Sequence, residues 1–168
     1  TLMHNERPRL CWFPPDYFLN VDAKIVPRLA SQYSIDWILI RTPGSARTGD
    51  GLLSGGIRPR EILLRYRQRD PRIISQYIAL LSSVRRDGYD LIYTSFHGLP
   101  YFLAVLRQMI DPGRCIYAVH NVDTPRGAVH ERWMRLYQQY AFRAFSRFHV
   151  FSRHQLRAIA EKVPGKRH

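Results

Sequence analysis

The chain has 168 residues, 45% of them hydrophobic and 12% aromatic, which is enough for one domain with a full core and excludes a disordered chain. No apolar run approaches the roughly 18 residues of a membrane span; the longest, Leu99 to Ile110, is broken by Arg107 and Gln108. The formal net charge of +13 is nearly all arginine, with lysine only at positions 24, 162 and 166, so the chain attracts polyanions: nucleic acid, an anionic membrane face or phosphorylated substrates.

Residues 1–8 carry no signal-peptide core and are expected to be disordered or extraneous to the fold. Arg9 to Phe13 reads as a first strand, ended by Pro14-Pro15. Asp22 to Gln32 reads as a short helix, with Pro27 as a local obstacle. Ser34 to Arg41 is a second strand, residues 42–56 a Gly/Ser/Thr-rich loop, and Glu61 to Tyr66 a third strand. Asp70-Pro71 has the chemistry of a helix start, with the apolar positions Ile74, Ile78, Leu81 and Val84 behind it and Gly88 as its stop. Asp90 to Ser95 is a fourth strand, Leu99 to Ile110 a helix, and Cys115 to Val119 a fifth strand. Gly127 to Arg147 is a long helix with two stripes. Val129, Trp133, Leu136, Tyr140 and Ala144 are expected to face the core. Arg132, Arg135, Arg143 and Arg147 are expected either to stand in solvent or to press on anionic headgroups. His149 to Phe151 is a short sixth strand, and Ser152 caps a last helix through Lys162. The Pro-Gly break after that helix suggests a domain of a longer protein. This order predicts a Rossmann-like, doubly wound α/β domain over residues 1–168, with a mostly parallel sheet of about six strands and helices on both faces.

The chemistry gathers where strands end. His120 and Asn121 follow the fifth strand, and Arg126 beyond them is a further candidate substrate contact. His97 follows the fourth strand, just before a helix start where free amides receive anions or hydroxyls. An imidazole in this position can act as a base or bind a substrate hydroxyl or phosphate, or it can simply cap the strand. The first loop, FPPDYFLNVDAK, has no glycine, which argues against a dinucleotide cofactor. Its Tyr17, Phe18 and Asn20 offer aromatic faces and an amide suited to sugar, unless they pack on the domain. Arg58, Arg60, Arg65, Arg67, Arg69 and Arg72 surround the third strand and could cradle phosphates. Cys11 and Cys115 sit in strands as buried thiols, with no CxxC, which fits a reducing, cytoplasmic setting. His149 and His154 have no acidic or cysteine partners at metal-ligand spacing, so no metal is expected.

The stretch from Tyr89 to Ser152 resembles the amino-terminal domain of GT-B glycosyltransferases of the retaining family 4 group. The residues that carry it are YDLIYTSFHGLPYFLAVL, then RCIYAVHNVDTP, a long helix, and FHVFSRHQLRAIAEKV. The first half fits by element order alone. The resemblance implies two Rossmann-like domains with a cleft between them, this one on the acceptor side. The nucleotide sugar, a substrate rather than a cofactor, would be held by a carboxyl-terminal domain whose paired-glutamate motif this chain lacks. His120 matches the family's active-site histidine and Ser152 the serine after the sixth strand; His97, Asn121, Tyr17 and Asn20 would line the acceptor side. The family's Gly-Gly after the first strand is missing, which puts phosphate contact by that loop in doubt. The expected function is transfer of a sugar to a glycan or lipid-linked acceptor, peripheral to the inner membrane face and inactive without the donor domain. The alternatives are a non-catalytic anchoring or scaffold subunit of a split transferase and a basic nucleic-acid-binding module, the latter supported by no motif.

Overall fold

The structure, a computed structural model, describes residues 7–15, 18–45, 57–96, 101–123, 127 and 131–166. Six strands form a single all-parallel sheet: β1 (Arg9–Phe13), β2 (Ser34–Arg41), β3 (Arg60–Leu63), β4 (Leu91–Thr94), β5 (Cys115–Val119) and β6 (Phe148–Val150). The spatial order β3-β2-β1-β4-β5-β6 is that of a doubly wound Rossmann-like fold, as expected. Five α-helices accompany it among the described residues: α1 (Leu19–Leu29), α2 (Ile73–Asp87), α3 (Phe102–Met109), α4 (Glu131–Ala144) and α5 (Arg153–Lys162).

The order follows from handedness. A right-handed crossover from β1 to β2 puts α1 on one face, and the chain then turns back past β1 to β4, which puts α2, α3 and α4 on the other. The alternation of side chains along each strand divides the core accordingly. Cys11, Phe13, Ile38, Ile40, Cys115, Tyr117 and Val119 pack against α2 to α5. Leu10, Trp12, Trp37, Leu39, Tyr93 and Ala118 pack on the α1 side with Leu19 and Val26. Both cysteines are buried free thiols, and burial raises their pKa, that of Cys115 to about 12.

Several element boundaries differ from the sequence expectation for local reasons. α1 begins at Leu19 rather than at Asp22, so Asp22 lies in its first turn, and Pro27 is tolerated close to its end. β3 stops at Leu63, because the Gln76 side-chain oxygen takes the N–H groups of Arg65 and Tyr66. Asp70 does not cap α2: its carboxylate accepts from the Arg72 backbone and guanidinium, and the helix starts at Ile73 with no side-chain cap. The buried stripe of α2 is therefore Ile73, Tyr77, Leu80, Leu81 and Val84, and Ile78 is exposed.

The largest correction concerns α4. Its buried residues are Ala141 and Phe142, with Phe145 just beyond its end, while Trp133 is 64% exposed, Leu136 58% and Tyr140 38%. Of the stripe expected to face the core, Trp133, Leu136 and Tyr140 face solvent, Ala144 is partly buried against the core, and Val129 lies outside the described residues. At 100° per residue, Phe142 and Phe145 fall opposite Trp133 and Tyr140, and one helix cannot bury both sides against one sheet.

Gly88 closes α2 in the left-handed region at φ 68° with nothing within 4 Å of where a Cβ would sit, so its requirement is purely conformational. Gly88→Ala should cost about 1 kcal/mol of unfolding free energy, read as a lower urea midpoint at unchanged slope. Gly88→Asn should recover part of that loss. An alanine variant with the parent's midpoint would show that the turn relaxes freely.

Candidate functional site

In a doubly wound sheet the ligand crevice opens at the carboxyl ends of the strands where winding reverses, here between β1 and β4. Of the sequence-derived site residues, His120, Asn121, Asn20 and Ser152 fall among the described residues, whereas His97, Tyr17 and Arg126 lie outside them. His120 directly follows β5 and is half-buried. Its imidazole lies flat between two aromatic rings: Phe18, at the start of α1, is 3.8 Å away at 16°, and Phe151, after β6, is 4.8 Å away at 13°. Three chain segments thus meet on one histidine. With both ring faces stacked, polar contact with His120 is confined to the ring edge, and Nε2 on that edge is itself buried. Phe18, expected to offer its face to sugar, stacks that face on His120 instead.

From this sandwich a chain of contacts runs down the α1 face of the sheet. Phe151 touches His149, with ring centroids 4.7 Å apart. His149 Nδ1 is 2.9 Å from the Tyr93 hydroxyl. Tyr93 stacks on Trp12 at 3.8 Å. Tyr93 is on β4 and His149 on β6, and the bond between them crosses β5, where the register partner of His149 is the small Ala118. Burial lowers the His149 pKa and raises that of Tyr93, so both groups are neutral near neutral pH.

Trp12 leads to Asp22, which sits one helical turn after Phe18 on α1 and closes the circuit. Asp22 is 5% exposed, and desolvation pushes its carboxyl up to about 7, offset only in part by the nearby Trp12 indole. No hydrogen bond of good geometry joins them: Asp22 Oδ2 and Trp12 Nε1 both lack a partner among the described residues. A buried carboxyl poised near neutrality beneath the site is the feature that sequence reading missed, having taken Asp22 for a helix start. A signal was available: Leu19, Asp22 and Val26 share one helical stripe, so the aspartate occupies a core position.

The loop after β5 is held by side chains of the two following helices. Gln155 donates to the His120 carbonyl and accepts from the Phe151 N–H at 3.1 Å, tying the β5 and β6 ends together. Gln138 donates to the Asn121 and Val122 carbonyls, and Lys162 donates to Val122 O at 3.0 Å and pairs with Asp123. Ser152 caps α5, its hydroxyl accepting from Gln155 N at 3.2 Å. The side chains of Asn121, on the held loop, and Asn20, in the first turn of α1, are exposed at the rim. A groove of about 720 Å³ opens beside this loop between α4 and α5, with Arg143, Gln138 and Lys162 on its walls. Around β3, Arg72 is committed to Asp70 and lies over the Tyr66 ring at 4.5 Å, and Arg60, Arg65, Arg67 and Arg69 are exposed. Among the described residues no three His, Cys, Asp or Glu side chains converge as a metal ion requires. No protein-family model matches the chain, and no curated protein matches its sequence.

Asp22 makes stability depend on pH with a definite sign. Its pKa is about 7 folded against 3.8 for an ordinary aspartate carboxyl, so between these values the folded state keeps a proton the unfolded chain releases, and stability falls as pH rises. Asp22→Asn removes this slope. Its stability relative to the parent should grow across that window by up to about 1.4 kcal/mol per pH unit and level off above it. His149 acts in the opposite direction below its ordinary range, but it is common to both proteins and cancels. Urea midpoints that run parallel across the window would contradict the assignment.

Proposed function

We propose that the chain is the acceptor-side domain of a GT-B glycosyltransferase of the family 4 kind, transferring a sugar from a nucleotide-sugar donor to a glycan or lipid-linked acceptor. The observation that carries this reading is the mounting of His120: an imidazole at the carboxyl end of an interior strand, held flat by an aromatic ring on each face. Such a ring is oriented in advance, which is what a group must be to bond a sugar hydroxyl beside the reacting carbon without reorganising. In this reading His120 orients and polarises the donor sugar, Asn121 and Asn20 bind acceptor hydroxyls from the two sides of the crevice, and Ser152 adds its hydroxyl from the β6 side. A separate donor-binding domain supplies the nucleotide site and the rest of the cleft. The order of the motifs from Tyr89 to Ser152 and the strand order of the sheet support the same assignment.

A non-catalytic anchoring subunit is the second reading, and the outward apolar stripe of α4 favours it. One experiment separates them. With the donor-binding domain present, His120→Ala should lower kcat by about 100-fold or more with little change in KM for the acceptor, and Phe151→Leu should lower kcat less, by loosening the ring. The isolated chain should not turn over a nucleotide sugar. Full activity of His120→Ala would leave the anchoring reading in place. Turnover by the isolated chain would refute the half-enzyme assignment.

A further inference from the structure

We infer that the outward face of α4 is a membrane-docking surface for anionic lipid. The face combines two chemistries that ordinary solvent-exposed helices keep apart. Trp133, Leu136 and Tyr140 are exposed and fall within about 60° of one another around the axis. Exposed Arg132 and Arg143 lie on the same side, and neither pairs with a carboxylate among the described residues. Arg135 flanks them and is paired with Glu131, the only acidic residue of the helix. The opposite side, Ala141 and Phe142, is spent on the sheet. A tryptophan and a tyrosine beside a leucine, edged by arginine, fit the boundary between headgroups and acyl chains, where the rings sit among the glycerol groups and the guanidinium groups meet phosphate. The net charge of +13 gives the whole chain the sign that an anionic bilayer attracts.

The position of the face gives it a consequence. The Gln138 side chain reaches the carbonyls of Asn121 and Val122, so the first two turns of α4 stand level with the chain just beyond β5. Trp133 and Leu136 are in those turns. A bilayer seated on α4 would lie beside the carboxyl edge that holds His120, within reach of an acceptor whose lipid remains in the membrane. The docking surface does not depend on the transferase reading; it would serve an anchoring subunit equally.

The protein carries its own probe. It has three tryptophans, and Trp12 and Trp37 are 2% and 3% exposed, so a change in emission on binding reports Trp133. Vesicles of phosphatidylglycerol mixed with phosphatidylcholine should shift the emission to the blue and sediment the protein, while pure phosphatidylcholine vesicles should do neither. Raising salt should weaken the binding. Trp133→Phe should abolish the shift and keep sedimentation. Leu136→Ser with Tyr140→Ser should weaken sedimentation by about tenfold or more, and Arg132→Glu with Arg143→Glu should do so as well, with thermal unfolding unchanged because all four side chains are exposed. The inference is overturned if anionic vesicles cause no shift, if the paired serine substitutions leave sedimentation unchanged, if the stripe is covered by a second copy of the chain in a concentration-dependent dimer, or if a single-stranded oligonucleotide shifts Trp133 where vesicles do not.

Discussion

A right-handed crossover can lie on only one face of a parallel sheet for a given direction of travel, and this chain changes direction once, beside β1. The rest of the arrangement follows. Before the reversal α1 covers one face; after it, α2, α3 and α4 cover the other and bury the larger cluster. The reversal sends the helices that follow β1 and β4 to opposite faces, which sets the crevice position at the carboxyl ends of those two strands. The α1 face of the sheet carries Trp12 and Tyr93 on the two strands at the reversal and His149 on β6, rather than aliphatic side chains alone.

The candidate site is organised by stacking and by backbone clamping. Phe18 and Phe151 come from segments far apart in sequence, and both stack on one imidazole. Aromatic pairs of this kind contribute about 0.5–1.5 kcal/mol beyond the area they bury, so the sandwich helps to hold the β1, β5 and β6 ends in register as well as aligning the ring. Gln138, Gln155 and Lys162 meanwhile satisfy the carbonyls of residues 120–122, which would otherwise be free to turn the loop. Asp22 fits this organisation poorly as a structural element: a carboxyl moved out of water with one oxygen unsatisfied destabilises the fold at neutral pH. It lies one helical turn after Phe18, the ring stacked on His120.

Much of the fold was legible in the sequence because the strands are short apolar runs bounded by turn chemistry. β5, Cys115–Val119, has the bounds its composition predicts, and Ser152 caps α5 as its hydroxyl suggests. The place of the candidate site was legible only as a strand end, because a buried run passing abruptly into His-Asn-Val-Asp marks the carboxyl end of β5. Its architecture was not, since Phe18, Phe151 and His120 are brought together only by the sheet. α4 was misread for a plain physical reason: Trp133, Leu136 and Tyr140 are the more hydrophobic stripe, and periodicity alone assigns the more hydrophobic stripe to the core. The sheet instead takes Ala141, Phe142 and Phe145. α2 was displaced because Asp70 has a nearer partner in Arg72 than the helix amides further along.

The claim on which this account turns is that His120 is clamped flat between Phe18 and Phe151, and the most direct measurement is the ring-proton NMR spectrum of protein carrying ¹³C-labelled histidine, with His120 assigned by loss of its signals in His120→Gln. Stacking on both faces predicts His120 ring protons moved upfield of their random-coil positions, with Phe18→Leu and Phe151→Leu each removing part of the displacement. His120 signals at random-coil positions, unmoved by either substitution, would contradict the clamp and with it the oriented imidazole at the centre of the proposed site.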